Sequence, residues 1–283
     1  METNERKAGA KRRLASHFFA ATIFGLIVLA LLLSRVIMQA IGWLDGDFLN
    51  SFPSRRPEEA GIKSGLVGSL WLMMIVAPVS FILGVGTAIY LEEYARKNRF
   101  TALIQTNISN LAGVPSIVFG LLGLTVFVRE LGLGRSVLAA GLTMSLLILP
   151  VIVVAAQEAI RAVPQQLREA SYAMGATKWQ TICRVVLPAA LPGMLTGAIL
   201  AFSRAIGETA PLVVLGIPTF IAYLPGSVLD TFTAMPLQIY NWTGRPQEEF
   251  QHVAAAGIIV LLVFLILMNS VAVLIRNKFQ KRF

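Results

Sequence analysis

Pro164-Gln-Gln-Leu167-Arg168-Glu169-Ala170-Ser-Tyr-Ala-Met174-Gly175-Ala176-Thr177-Lys-Trp-Gln180 carries helix start and stop signals at both of its breaks. Pro164 can open a helix at its first position, and Gly175 can close it in the left-handed conformation. At helical spacing Leu167, Ala170 and Met174 share one face, and Gln165, Arg168, Glu169 and Tyr172 the other. Thr177 followed by Gln180 reads as a capping box, which predicts a second helix running to Leu187 and stopping at Pro188. The run is therefore two short helices hinged at Gly175 and Ala176. Two uses fit this shape: a helix pair lying on a bilayer, or a two-faced knob that docks a partner.

The flanks decide which kind of chain holds the knob. Of 283 residues, 56% are hydrophobic and 14% charged, with a mean hydropathy of +0.71. A water-soluble domain could not bury that much apolar surface, so the sequence predicts an all-α integral membrane protein. Six stretches suffice to span: 18–40, 65–90, 107–128, 137–156, 190–215 and 253–275. Arg35 and the length of the first apolar run argue for an uncleaved anchor rather than a signal peptide.

With the N-terminus inside, sixteen Lys and Arg residues fall on internal segments and six on external ones. The positive-inside rule then places both termini in the cytoplasm. This distribution, with contact to anionic lipid, accounts for the net charge of +9 without nucleic acid. The expected organisation is a basic tail at 1–17, a first span and outer loop at 18–64, a core at 65–275 and a basic tail at 276–283. Within the core, 157–189 is a cytoplasmic loop and 216–252 a long outer connection folded against the outer mouth. Pro78, Gly84 and Gly86, Pro115, and the pair Gly193 and Gly197 predict bends and close helix packing. Residues 101–110 are only half apolar and suit an interfacial position.

The fifth span holds Ala201-Phe-Ser-Arg204-Ala-Ile-Gly-Glu208-Thr209-Ala-Pro211. An Arg and a Glu four residues apart share a helix face. Ionisable groups inside a span are costly, ~2.5–3.5 kcal/mol each on insertion scales. Either the two neutralise each other and fasten the helix, or they line a polar path; a guanidinium can hold an oxyanion bidentately.

The run Glu169-Ala170-Ser171, then Gly175, then Val185 and Leu187-Pro188, resembles the EAA loop of ABC importer permeases. Ser171 stands for the second Ala of that pattern and Val185 for its Ile. Leu111-Ala-Gly-Val-Pro-Ser-Ile-Val-Phe-Gly120, Gly175-Ala-Thr-Lys-Trp179 and Arg204-Ala-Ile-Gly-Glu-Thr-Ala-Pro-Leu212 narrow the likeness to the A-type permease subunits of bacterial high-affinity phosphate importers. The resemblance covers roughly 61–216. It implies a MetI-like helical core in the bacterial inner membrane, a C-type permease partner, two copies of an ATPase subunit and a soluble phosphate-binding protein. It also implies that Pro164, Leu167, Arg168, Glu169, Ala170, Met174, Gly175 and Ala176 form the ATPase-coupling element. It favours the path reading for Arg204 and Glu208, with Thr209 beside them.

The chain has no G-x-x-x-x-G-K-[ST] phosphate loop, so ATP and Mg belong to the partner ATPase and no cofactor is expected in this chain. One cysteine, Cys183, and two distant histidines, His17 and His252, offer no metal spacing. No nucleophile elbow or H-E-x-x-H is present, so the chain itself is not expected to be an enzyme. A permease for another oxyanion or polar nutrient, and a passive channel or scaffold, are the remaining alternatives.

Overall fold

The computed structural model describes residues 2–96 and 98–279, with side chains over 17–96 and 98–278. Lys97, Lys281 and Arg282, and the side chains of the basic tail before His17, lie outside these described residues. Five helices are long and apolar enough to cross a membrane, and one sharply bent pair makes a sixth crossing. No strand occurs among the described residues.

α1 (Glu2–Ala40) is continuous from the basic tail through its apolar span, His17–Ala40. It packs along α12 (Glu249–Phe279), and the His252 ring nitrogen Nδ1 lies 2.8 Å from the Gln39 carbonyl. The end of α1 thus meets the start of α12, which puts the two chain ends on the same side of the bundle. α2 (Gly46–Asn50), capped by the Asp45 carboxylate, lies at the opposite, far side.

α3 (Lys63–Ile89) runs straight through Pro78 and ends in a π-helical turn, Tyr90–Tyr94. α6 (Val137–Arg161) is the central helix, with two thirds of its most apolar stretch buried. Small residues let its neighbours approach. Gly84 on α3 faces Ile152, and Gly141 on α6 faces Ile75. Gly193 and Gly197, on α9 (Leu187–Gly207), meet Ala159 and Ala155. The pair expected to mark close packing does so: a Cβ at Gly197 would run into the Ala155 methyl.

The third crossing is not the single helix expected over 107–128. α4 (Arg99–Leu111) and α5 (Ser116–Gly123, continued as a π-helical stretch over Leu124–Glu130) meet at 103°. Pro115 lacks an N–H and excludes Val114 from helical geometry, which breaks the run there. α4 keeps Phe100, Leu103 and Leu111 exposed on its flank.

The fifth crossing departs from the expected 190–215 helix at both ends. Pro188 does not stop the preceding helix. α8 (Lys178–Thr181) passes through a π-helical turn, Ile182–Val186, directly into α9. The wider turn already shifts the hydrogen bonds to i→i−5, so the missing N–H of Pro188 interrupts nothing further. At the other end α9 stops at Gly207, and α10 (Ala210–Leu215) restarts after Glu208 and Thr209. Pro211 would press its ring on the Gly207 carbonyl, so a continuous helix is excluded. Gly216, at φ 73°, closes α10. Gly120 on α5 packs against Pro211 and Val214 of α10, which joins the two broken crossings.

Residues 216–252 form an ordered cap. The Val137 and Leu138 amides donate to the carbonyls of Asp230 and Val228, and the Met235 amide donates to Ser69 Oγ. α11 (Met235–Thr243) is buried along Met235, Leu237, Gln238 and Trp242. Trp242 packs against Phe48 of α2, and Gln238 donates to the Gly61 carbonyl. The cap supplies part of the main core, so the long connection is folded inward rather than free.

Candidate functional site

At the side bearing the chain ends, α7 (Gln165–Ala173) follows α6 after a short turn. Pro164 is its N-cap, one position before the place the sequence suggested, and Gly175 takes φ 81°. The capping box forms: Thr177 N donates to Gln180 Oε1 at 2.9 Å and Gln180 N to Thr177 Oγ1 at 3.3 Å. Ser171 and Thr181 hydroxyls meet at 2.9 Å, which fixes α7 against α8 across the hinge.

The two faces of α7 separate as its spacing dictates, with one exception. Leu167, Ala170 and Met174 line a shallow, mainly apolar groove with Ala176, Val185 and Ala189. Met174 is 88% exposed at its rim. Glu169 points to solvent with no hydrogen bond or ion pair among the described residues. Arg168, grouped with these as a coupling residue, turns inward instead. Its Nη1 donates to the Val163 carbonyl at 2.6 Å; its Nη2 donates to the Ile160 carbonyl at 2.9 Å and to Glu93 Oε1 at 3.2 Å.

The end of α3 supplies residues that the motifs of the sequence did not single out. Glu92 Oε1 accepts from Gln157 at 2.8 Å and Arg161 at 2.6 Å, Glu93 accepts from Arg168, and the Lys178 ammonium sits 4.9 Å from the Tyr94 ring centre. Two adjacent acids beside a basic cluster at the end of a span were the available signal.

The charged pair lies farther into the bundle. Gly193 faces Ala159 and Gly197 faces Ala155, so antiparallel register brings Arg204 level with the middle of α6. Arg204 Nε is 3.2 Å from Glu208 Oε1, as the i,i+4 spacing predicted. The pair is not wholly inside a helix, however: Arg204 lies in the last turn of α9, Glu208 is the extended residue at which α9 ends (φ −77°, ψ 121°), and Thr209 precedes α10. Arg204 and Glu208 keep 44% and 21% of their side-chain surface open, on the face shared with Thr196, Leu200 and Gly207. Ser203 donates to Asn269 Oδ1 at 2.7 Å, a polar tie between α9 and α12 beside the pair. Among the described residues no group of His, Cys, Asp and Glu could hold a metal ion.

These features define a polytopic helical membrane protein whose two-helix loop is built into the same continuous rod as a charged break at half the bundle depth. The chain belongs to the family of binding-protein-dependent transport system inner membrane components, whose profile matches residues 80–282. It is 37% identical over 270 residues to the phosphate transport system permease protein PstA 1 of Mycobacterium tuberculosis, covering 92% of this chain and 86% of that one. It is 34% identical to the probable ABC transporter permease protein YqgI of Bacillus subtilis, with 89% and 92% covered. The phosphate transport system permease protein PstA of Yersinia pestis is 30% identical, with 96% and 93% covered. Its fold matches a chain of a bacterial alginate ABC transporter at TM-score 0.66 and 17% identity, with 92% of each covered. It also matches a chain of the inward-facing MetNI methionine ABC transporter at TM-score 0.61 and 18% identity, covering 77% of this chain and 95% of that one. The MetI-like fold expected from the EAA-type run is therefore the fold found.

Proposed function

We propose that the protein is the transmembrane permease subunit of an ATP-driven importer of inorganic phosphate. Family membership supports the transport role, and relatives named for phosphate transport support the substrate. One observation carries the mechanism: helix runs without a stop from the capping box at Thr177 through α9 to the break at Glu208.

In this reading the side bearing the chain ends is cytoplasmic. The groove of Leu167, Ala170 and Met174, with solvent-facing Glu169 on the other face of α7, seats on an ATPase subunit that holds the ATP and Mg. A second permease chain, of the C type, covers the open face of α9, and a soluble phosphate-binding protein delivers its load at the far cap. Closure of the ATPase pair pushes α7 and α8. The push travels along the rod and shifts the break, where Arg204 can pair either with Glu208 or with the oxygens of a passing phosphate. Glu208 limits how tightly phosphate is held, since a conducting site must also release.

The test is uptake of labelled phosphate by vesicles holding the complex purified through this chain, in competition with sulfate, molybdate and polar nutrients. Phosphate uptake that depends on ATP and resists the competitors is expected. Preference for another solute would move the reading to a different substrate of the same machine.

A further inference from the structure

Three consecutive side chains at the end of α3 hold three different parts of the 157–189 loop. Glu92 takes Gln157 and Arg161 from the last turns of α6, Glu93 takes Arg168 of α7, and Tyr94 lies beneath Lys178 of α8. Successive residues of a regular helix do not share a face. Here the partners come from three successive elements, α6, α7 and α8, and the π-helical turn Tyr90–Tyr94 carries all three.

Of the ion pairs here the middle one is the most sheltered: Arg168 and Glu93 retain 13% and 9% side-chain exposure. The same guanidinium takes the carbonyls of Ile160 and Val163, at the end of α6, where backbone acceptors lack helical donors. One side chain of α7 thereby joins α3 to the end of α6. α3 continues past Gly84 and Ile75, in contact with α6, to Ser69, which holds the far cap through Met235.

We propose that Glu92, Glu93 and Tyr94 clasp the coupling loop to α3, and that the Glu93–Arg168 pair is the positioning contact that matches ATP hydrolysis to transport. This rests on the reading of 157–189 as the loop that docks the ATPase. Motion of α7 then reaches Arg204 along α9 and the far cap along α3, so the Glu208 break and the cap respond to one push. Removing one partner strands the other charge in a sheltered pocket, which releases α7 from α3 rather than weakening the contact slightly.

The experiment uses the complete complex in lipid vesicles, with Glu93→Gln in this chain. The ATPase should co-purify at the wild-type level and continue to hydrolyse ATP, while phosphate carried per ATP falls about two- to thirtyfold, the range of a coupling contact. In a Cys183→Ser background, Glu93→Cys with Arg168→Cys should be uncoupled in the same way and recover when the two thiols are joined by a short bis-maleimide. A wild-type ratio in Glu93→Gln overturns the proposal. Should that variant fail to assemble, the joined cysteine pair decides: assembled and coupled supports the clasp, assembled and uncoupled overturns it. Met174→Glu is measured alongside; if that variant keeps both ATPase and transport, the docking reading fails, whatever Glu93 does.

Discussion

Arg204 Nε and Glu208 Oε1 meet at 3.2 Å across the point where the fifth crossing unwinds. The pair is local in sequence yet bridges helix and non-helix. Its acidic end lies outside α9, on extended backbone.

Arg204→Gln is expected to reduce phosphate uptake at least tenfold with the complex still assembled. Arg204→Lys should recover only part of it, because an ammonium cannot bind an oxyanion through a planar fork. Uptake assays on equal amounts of assembled complex check this, and normal uptake in Arg204→Gln would remove the pair from the path.

Met174 is open to solvent at the rim of the α7 groove. Met174→Glu should leave the permease folded and lower ATPase co-purification. In the same position, Met174→Cys in a Cys183→Ser background should react with a membrane-impermeant maleimide only from the cytoplasmic side. Labelling from outside would reverse the topology.

Gly197 has no room for a side chain against Ala155. Gly197→Val should part α6 from α9 and cost ~1–3 kcal/mol, the usual penalty for overpacking. A lower unfolding temperature of the detergent-solubilised protein reports it. Ala155→Gly in the same chain should recover part of the loss.

Thr177 closes the capping box that starts α8. Thr177→Ala should cost about 1 kcal/mol locally. Faster amide exchange confined to the segment around α8 is the expected signature, with Thr177→Ser close to wild type. Uniformly faster exchange would show that the box stabilises the whole bundle instead.

The α7–α8 loop was legible because its signals are local. A left-handed Gly175 and a Thr-x-x-Gln box determine their own few residues wherever the chain lies. The broken crossings were less so. Apolarity over 107–128 and 190–215 satisfies a span whether or not the helix is continuous, and the breaks come from Pro115 and Pro211 acting on one backbone group each. Pro188 misled in the opposite direction, because the π-helical turn ahead of it removes the clash that makes proline a stop. The inward turn of Arg168 was invisible: its partners are a glutamate 75 positions away and two carbonyls at the end of another helix.

The bend at Pro115 has a consequence for the barrier itself. Only Ser116–Glu130 is left to make the third crossing, roughly 22 Å at helical rise, against about 30 Å of hydrocarbon. The shortfall lies beside the Glu208 break, since Gly120, one turn into α5, presses on Pro211. If the proposed partner permease leaves that place uncovered, lipid thins there or water enters. On the proposed path, an anion leaving its hydration shell would then travel less distance in a low-dielectric medium than the bilayer alone would demand.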